Sequence, residues 1–179
     1  MLQERIEGKW IDCFARVFAR CKVEPGEAVA ILSESQSRPI NVQLAELALH
    51  QLGAQPFHIV IPTPAQSAPV PIRSTGASDV IQNIRPIVGA LASTTFVVDC
   101  TVEGLLHAPE LAEILQGGAR VLMISNEHPE ALERLAPDDA LEGKVKTGMK
   151  MLRGAKAMTI TSAAGSNLSV DLTGAVAGG

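Results

Sequence analysis

The stretch TFVVDCTVEGLLHAPELAEILQGGARVLMI, residues 95–124, contains the repeating unit that decides the fold. Its first apolar run, 95–99, predicts a short strand, and a loop of mixed character follows. A Pro-Glu pair at Pro109 then opens a helical stretch that ends at residue 116. The second apolar run, 119–124, predicts another strand. Two strands joined through a helix pair in parallel, so this unit predicts a parallel sheet covered by helices.

The same alternation continues on both sides of this unit. Apolar runs predict earlier strands at 28–32 and 57–61, and further segments have helical spacing: 2–21, 40–52, 79–91, 129–135 and 138–152. Two alternating runs at the end, 157–162 and 166–172, predict an antiparallel hairpin. We therefore predict an α/β fold with a doubly wound, mostly parallel sheet, helices on both faces and a C-terminal hairpin at one edge. Residues 1–179 are expected to form a single domain, the N-terminal one of a longer two-domain enzyme.

Two connecting features also carry expectations. Ser78 is expected to cap the helix predicted at 79–91, and Pro86 is expected to kink it. The proline-rich stretch 62–76 has no periodicity and predicts a long loop, of the kind that often acts as a lid or an arm.

Composition narrows the class of protein. The 179 residues are 46% hydrophobic but only 3% aromatic, so the core must be aliphatic, as suits a parallel sheet covered by helices. A net charge of −4 without a run of basic residues argues against a nucleic-acid partner. The apolar runs are much shorter than the about 20 residues that span a bilayer. The first residues do not resemble a signal peptide, and three unpatterned cysteines predict reduced thiols and a cytoplasmic location.

The first helical stretch has two adjacent apolar stripes between Ile6 and Phe18. An apolar face of that width is either deeply buried or shared with another subunit. This face favours self-association, and we expect a homo-oligomer.

The common motifs of doubly wound domains are missing. No glycine fingerprint follows the first strand, and the chain has neither a phosphate-binding loop ending in Gly-Lys-Ser/Thr nor a Gly-x-Ser-x-Gly elbow. The four histidines lack partners at the short spacings of a metal site. His50 and His128 are expected at the surface and His58 buried in its strand. We therefore predict no metal site in this chain.

His107 differs from the other histidines by its position. It lies in the loop after the third predicted strand, and in open α/β sheets such loops border the ligand crevice. Leu105 and Leu106 can wall an apolar pocket there, and a histidine can transfer a proton near neutral pH. Asp99 either orients the imidazole or caps the turn. The structural alternative is that both leucines tuck under the sheet and His107 only precedes a helix. A Ser-His-Asp triad with Ser125 is formally possible, but nothing places that serine on an elbow.

Three segments together resemble one family. They are AVAILSESQSRPINVQLAELALHQLGAQ, FVVDCTVEGLLHAPELAEILQGGARVL and MLRGAKAMTITSAAGSNLSVDL, and the resemblance runs from about residue 27 to 172. The chain is similar to the N-terminal half of the 2,5-dihydroxypyridine 5,6-dioxygenases, ring-cleaving non-haem iron enzymes of nicotinate breakdown. These are related in fold to the aminopeptidase T-type metallopeptidases. The most specific element is Leu105-Leu106-His107 followed by Pro109-Glu110, which the peptidases do not need.

The resemblance implies a function for the whole enzyme. Leu106 and His107 correspond to a substrate-facing lip whose histidine acts as acid and base, taking the proton of the ring hydroxyl. The substrates would be a hydroxylated pyridine and O₂. The Fe(II) ligands would belong to the C-terminal half, outside these 179 residues. Two other functions remain open: a scaffold and dimerisation domain of an aminopeptidase T-like metallopeptidase, and a non-catalytic assembly domain.

Overall fold

The computed structural model of the chain describes residues 5–65, 76–136 and 139–178. The chain divides into two compact units, Met1–Ala136 and Pro137–Gly179. That residues 1–179 form a single domain, the first of a two-domain enzyme, stays a prediction. The middle of the predicted proline-rich loop, 66–75, lies outside the described residues.

The first unit alternates helices and strands in the order that the sequence predicts. Its helices are α1 (Gly8–Arg20), α2 (Pro39–Gln51), α3 (Arg85–Ala92), α4 (Leu111–Gln116) and α5 (Pro129–Leu135). Its strands are β1 (Ala28–Glu34), β2 (Gln55–Ile61), β3 (Phe96–Asp99) and β4 (Arg120–Met123). Proline stands in the first turn of α2, α3 and α5, where its missing N–H leaves no hydrogen bond unmade.

The four strands form one parallel sheet in the order β2-β1-β3-β4. β1 and β3 are neighbours, with Val29 opposite Phe96 and Leu32 opposite Asp99. The chain passes from β1 outward to β2 and then returns across β1 to β3. The strand order therefore reverses between β1 and β3, and a crevice at the carboxyl ends of these two strands is the usual ligand site of such sheets.

Helices cover both faces of the sheet, as the sequence predicts. On one face, α1 and α2 pack on Val29, Ile31, Phe96 and Val98, and the rings of Phe18 and Phe96 meet edge to face. The opposite face of the sheet is covered by a second cluster: Ala30, Leu32, Val80, Ile81, Val88, Leu91, Val97, Leu105 and Ile114. Successive side chains of a strand point to opposite faces, which explains why the apolar runs are continuous.

The wide apolar face of α1 is buried within the chain. Trp10, Phe14 and Phe18 belong to the α1–α2 cluster and are at most 7% exposed. Of the two explanations that the sequence left open, burial therefore accounts for most of this face. Homo-oligomerisation stays a prediction, and it no longer draws support from α1.

Four local expectations are wrong: the start of the third helix, its cap at Ser78, its kink at Pro86 and the burial of His58. α3 begins at Arg85 and not at residue 79, because Asn83 adopts a left-handed conformation (φ 62°) that interrupts the preceding turns. Ser78 consequently caps a turn, its hydroxyl accepting from the Val80 N–H at 3.3 Å, and Pro86 belongs to the first turn of α3 and kinks nothing. His58 is exposed because β2 is an edge strand, and its imidazole lies 3.5 Å from the Glu46 carboxylate.

The second unit contains α6 (Asp139–Gly154) and the hairpin of β5 (Ala157–Thr161) and β6 (Asn167–Asp171). The strands are antiparallel, with Ala157 opposite Asp171, and Gly165 provides the positive φ of 95° in the turn. This confirms the predicted hairpin. Among the described residues, β5 and β6 form a two-stranded sheet of their own.

Candidate functional site

Buried polar side chains collect where β1 and β3 end. Glu34 is the last residue of β1 and Asp99 the last of β3, and they are 5% and 0% exposed. Thr101 in the following loop is also fully buried. Buried polar groups are costly unless they are hydrogen-bonded, so their partners show what this cluster does.

Asp99 caps the loop that carries His107. Its Oδ1 accepts from the backbone N–H of Thr101 at 2.9 Å and from the Thr101 hydroxyl at 2.6 Å, and its Oδ2 accepts from the N–H of Leu105 at 2.7 Å. The Thr101 hydroxyl in turn accepts from the N–H of Gly104 at 3.1 Å. Of the two roles considered for Asp99, the structure therefore supports the capping role.

Glu34 joins the ends of β1 and β3. Its Oε1 accepts from the N–H of Val102 at 2.6 Å, and Ser37 donates its hydroxyl to the Cys100 carbonyl at 2.7 Å. The Ser37 hydroxyl also accepts from the Glu34 N–H at 2.8 Å. These contacts tie the loop after β1 to the loop after β3 across the point where the strand order reverses.

The carboxyl group of Asp99 sits in an unusual electrostatic setting. Burial raises the pKa of Asp99, and the negative charge of Glu34 acts in the same direction. The hydrogen bonds from Thr101 and Leu105 act against this rise. The net pKa shift is upward because the loss of hydration is the largest contribution.

The two adjacent leucines have different environments. Leu105 is 1% exposed and belongs to the second apolar cluster, on the face of the sheet opposite α1 and α2, whereas Leu106 is 56% exposed and His107 is exposed as well. Leu105 thus anchors the loop in the core and offers almost no surface to a ligand. That both leucines wall a pocket stays a prediction, and Leu106 and His107 form the exposed part of the loop.

A backbone clasp holds this loop from a second side. We use the term for the hydrogen bonds from Gly76 N–H to the Glu103 carbonyl (2.6 Å), from Ser78 N–H to the Gly104 carbonyl (2.8 Å), and from His107 N–H to the Gly76 carbonyl. The clasp joins the connection between β2 and α3 to the loop after β3. Both sides of the His107 loop are thereby fixed.

The remaining candidates of the sequence are dispersed. The Ser125 hydroxyl donates to the Val102 carbonyl at 3.2 Å and accepts from the Asn126 N–H at 2.6 Å. His50 is exposed near the end of α2, and His128 is exposed at the start of α5, where its Nδ1 accepts from the Glu130 N–H at 3.3 Å. In residues 5–65, 76–136 and 139–178, no three His, Cys, Asp or Glu side chains are grouped to hold a metal ion. Nor does any helix in this part of the chain have the length and apolarity to cross a membrane.

Sequence reasoning missed Glu34, Ser37 and Thr101. The signal was present in SESQSRP, residues 33–39, where polar residues directly follow a buried strand. Placing them beside Asp99 requires knowing that β1 and β3 are neighbours. That adjacency is a property of the topology and not of any local pattern.

The comparisons with known proteins agree with this architecture. The model of the 2,5-dihydroxypyridine 5,6-dioxygenase family matches residues 9–179. A Pseudomonas putida 2,5-dihydroxypyridine 5,6-dioxygenase is 28% identical over 162 residues, covering 89% of this chain and 45% of that protein. The solved structure of 2,5-dihydroxypyridine dioxygenase from Pseudomonas putida KT2440 superposes with a TM-score of 0.77 at 26% identity, covering 93% of this chain and 48% of that chain.

The chain thus spans about half the length of the relatives that it matches. The family model covers nearly all of its residues, and the superposed structure confirms the α/β fold. The chain therefore belongs to the 2,5-dihydroxypyridine 5,6-dioxygenase family.

Proposed function

We propose that this chain is the N-terminal half of a ring-cleaving non-haem Fe(II) dioxygenase acting on a hydroxylated pyridine such as 2,5-dihydroxypyridine. The observation that carries the proposal is the exposed Leu106-His107 pair beside the reversal of strand order, on a loop fixed by Asp99 and Leu105. Membership of the dioxygenase family supports the substrate class and the use of O₂. A role in nicotinate degradation follows from the same proposal.

His107 is proposed to move the proton of the ring hydroxyl. The imidazole is exposed and sits at the rim where ligands of such sheets bind, and histidine can accept a proton near neutral pH. Removing that proton makes the pyridine ring more electron-rich, which favours attack by O₂. Leu106, the exposed apolar neighbour, would contact the face of the ring and exclude water.

The loop is suited to this task because its geometry is set before a ligand arrives. Asp99 fixes the N–H of Leu105, Leu105 is anchored in the core, and the clasp fixes the N–H of His107. A histidine held in place does not need to be ordered when substrate binds, and positioning of this kind accelerates proton transfer.

The described residues of this chain do not fit an iron site, and we assign no step to the metal. We propose that Fe(II) is bound by the part of the enzyme that this chain does not span. A homo-oligomeric assembly and a cytoplasmic location also stay predictions.

Oxygen consumption by the full-length enzyme tests the proposal. The protein is prepared anaerobically with Fe(II), and O₂ uptake is followed after addition of 2,5-dihydroxypyridine. His107→Ala should lower the rate by about 10²- to 10⁴-fold, the usual contribution of general acid–base catalysis, at unchanged iron content. His50→Ala is the matched control, since His50 is an exposed histidine on α2, and it should keep the wild-type rate.

Two results would contradict the proposal. Wild-type enzyme with bound iron that takes up no O₂ would remove the dioxygenase function, and hydrolysis of aminoacyl peptides would then favour the peptidase alternative. Equal rates in His107→Ala and His50→Ala would remove the role of His107 and leave it as a residue that precedes a helix.

A further inference from the structure

We infer that Gly76 is a positioning residue for His107, and that its missing side chain sets where the imidazole of His107 lies. Gly76 is outside the loop that carries His107 and 31 positions before it along the chain. The inference rests on the proposed function, because it deepens the role given to His107. Gly76 lies within the connection between β2 and α3.

The backbone of Gly76 lies directly against the His107 loop. Its N–H donates to the Glu103 carbonyl at 2.6 Å, and its carbonyl accepts from the N–H of His107. One residue therefore holds the loop on both sides of Leu106. Moving the Gly76 backbone would displace the backbone of His107 through that shared hydrogen bond.

There is no room for a side chain at this position. A Cβ atom added to Gly76 would lie 2.9 Å from the Cβ of Leu106 and 3.3 Å from the Cδ2 of the His107 imidazole. The first distance is shorter than carbon atoms tolerate, so Leu106 or Gly76 would have to shift. The second contact is with the ring that the proposed function places at the substrate.

The φ of Gly76 is +75°, so any other residue is also strained by its backbone conformation. This effect can be separated from the contact with the loop. Gly26 has a φ of +81°, and a Cβ atom added there meets nothing within 4 Å. Alanine at either position suffers similar backbone strain, whereas only alanine at Gly76 presses on Leu106 and His107.

The test compares Gly76→Ala with Gly26→Ala in the full-length, iron-loaded enzyme. Gly76→Ala should lower kcat for 2,5-dihydroxypyridine by about 10- to 100-fold, as misplacing a catalytic group by about 1 Å does. Gly26→Ala should keep the wild-type kcat. Urea unfolding of the two variants measures how much stability each has lost, so that their kcat values are compared at known stability.

A second readout does not depend on the reaction. Diethyl pyrocarbonate acylates exposed imidazoles, and peptide mass spectrometry measures the rate at His107 with exposed His50 as the internal reference. We expect the His107 rate relative to that of His50 to change in Gly76→Ala and not in Gly26→Ala. If wild-type enzyme consumes no O₂, the proposed function fails, while this ratio still decides whether Gly76 positions His107.

Unchanged acylation and equal kcat in the two glycine variants would overturn the inference. If Gly76→Ala does not fold, Leu106→Gly is added to it, because this removes the Cβ atom that the new methyl group meets. Recovery of folding in the double variant supports the contact as the cause. A double variant that remains unfolded contradicts it.

Discussion

Replacing Thr101 by valine would show how strongly the Asp99 cap holds the His107 loop. The Thr101 hydroxyl is fully buried, donates to Asp99 Oδ1 at 2.6 Å and accepts from the Gly104 N–H at 3.1 Å. Valine has nearly the same shape, so no cavity forms. The substitution removes both hydrogen bonds and leaves the Gly104 N–H buried without its partner.

The magnitude follows from these two bonds. Loss of the bond to the Asp99 carboxyl group costs about 1–3 kcal/mol, and leaving a buried N–H unpaired costs a further about 1–3 kcal/mol. Thr101→Val should therefore lower the free energy of unfolding by about 2–6 kcal/mol, a large share of the about 5–15 kcal/mol that stabilises a typical domain.

Urea unfolding of the 179-residue chain, followed by Trp10 fluorescence, measures this loss, because Trp10 is the single tryptophan of these residues and is 7% exposed in the same compact unit. Thr101→Ser is the matched control: it keeps the hydroxyl and removes one methyl group, so it should cost only about 1 kcal/mol. A valine variant as stable as the serine variant would refute the capping role of this hydroxyl.

Two further predictions follow from burial. Burial raises the pKa of Asp99 above its usual 3.8, so the folded state binds the proton of this carboxyl group more tightly than the unfolded state does. The stabilisation of the fold by this bound proton is complete below about pH 3.8 and is lost as pH rises through the folded pKa. The difference in unfolding free energy between wild type and Asp99→Asn should therefore fall with rising pH from about 3.8, and a difference that is constant or rises would contradict this. Burial also raises the pKa of the thiols of Cys21 and Cys100, but Cys100 is fully buried and Cys21 partly exposed. A thiol reagent should label Cys21 in the native protein and Cys100 only after unfolding, and early labelling of Cys100 would show that the end of β3 opens.

The sequence predicts the alternation of helices and strands because buried faces require apolar residues at regular spacings. The continuous apolar runs around Val29 and Val97 indicated strands buried on both faces, and both belong to the centre of the sheet. The position of a strand at the edge of a sheet is harder to recognise from the sequence. His58 was expected to be buried because its neighbours are apolar, but in the described part of the chain no strand pairs with the outer side of β2.

The site was predictable only in part, since loops have no periodicity. The position of His107 after β3 follows from the general architecture of α/β sheets. Nothing in the amino-acid sequence, however, indicates that Leu105 is buried and Leu106 exposed. One leucine is anchored in the core and the other is exposed, because the Asp99 carboxyl group fixes the N–H of Leu105. The proximity of Gly76 to Leu106 could not be predicted either, because it depends on how two separate loops fold against each other.

The pH dependence of O₂ uptake tests the central claim most directly. It is measured with saturating 2,5-dihydroxypyridine for wild type, His107→Gln and the surface control His50→Gln. A general base must be deprotonated to act, so it gives wild-type kcat an acidic limb. The account predicts that this limb is present in wild type and in His50→Gln and absent in His107→Gln. An unchanged limb in His107→Gln would show that another group moves the proton, and would contradict the role proposed for His107.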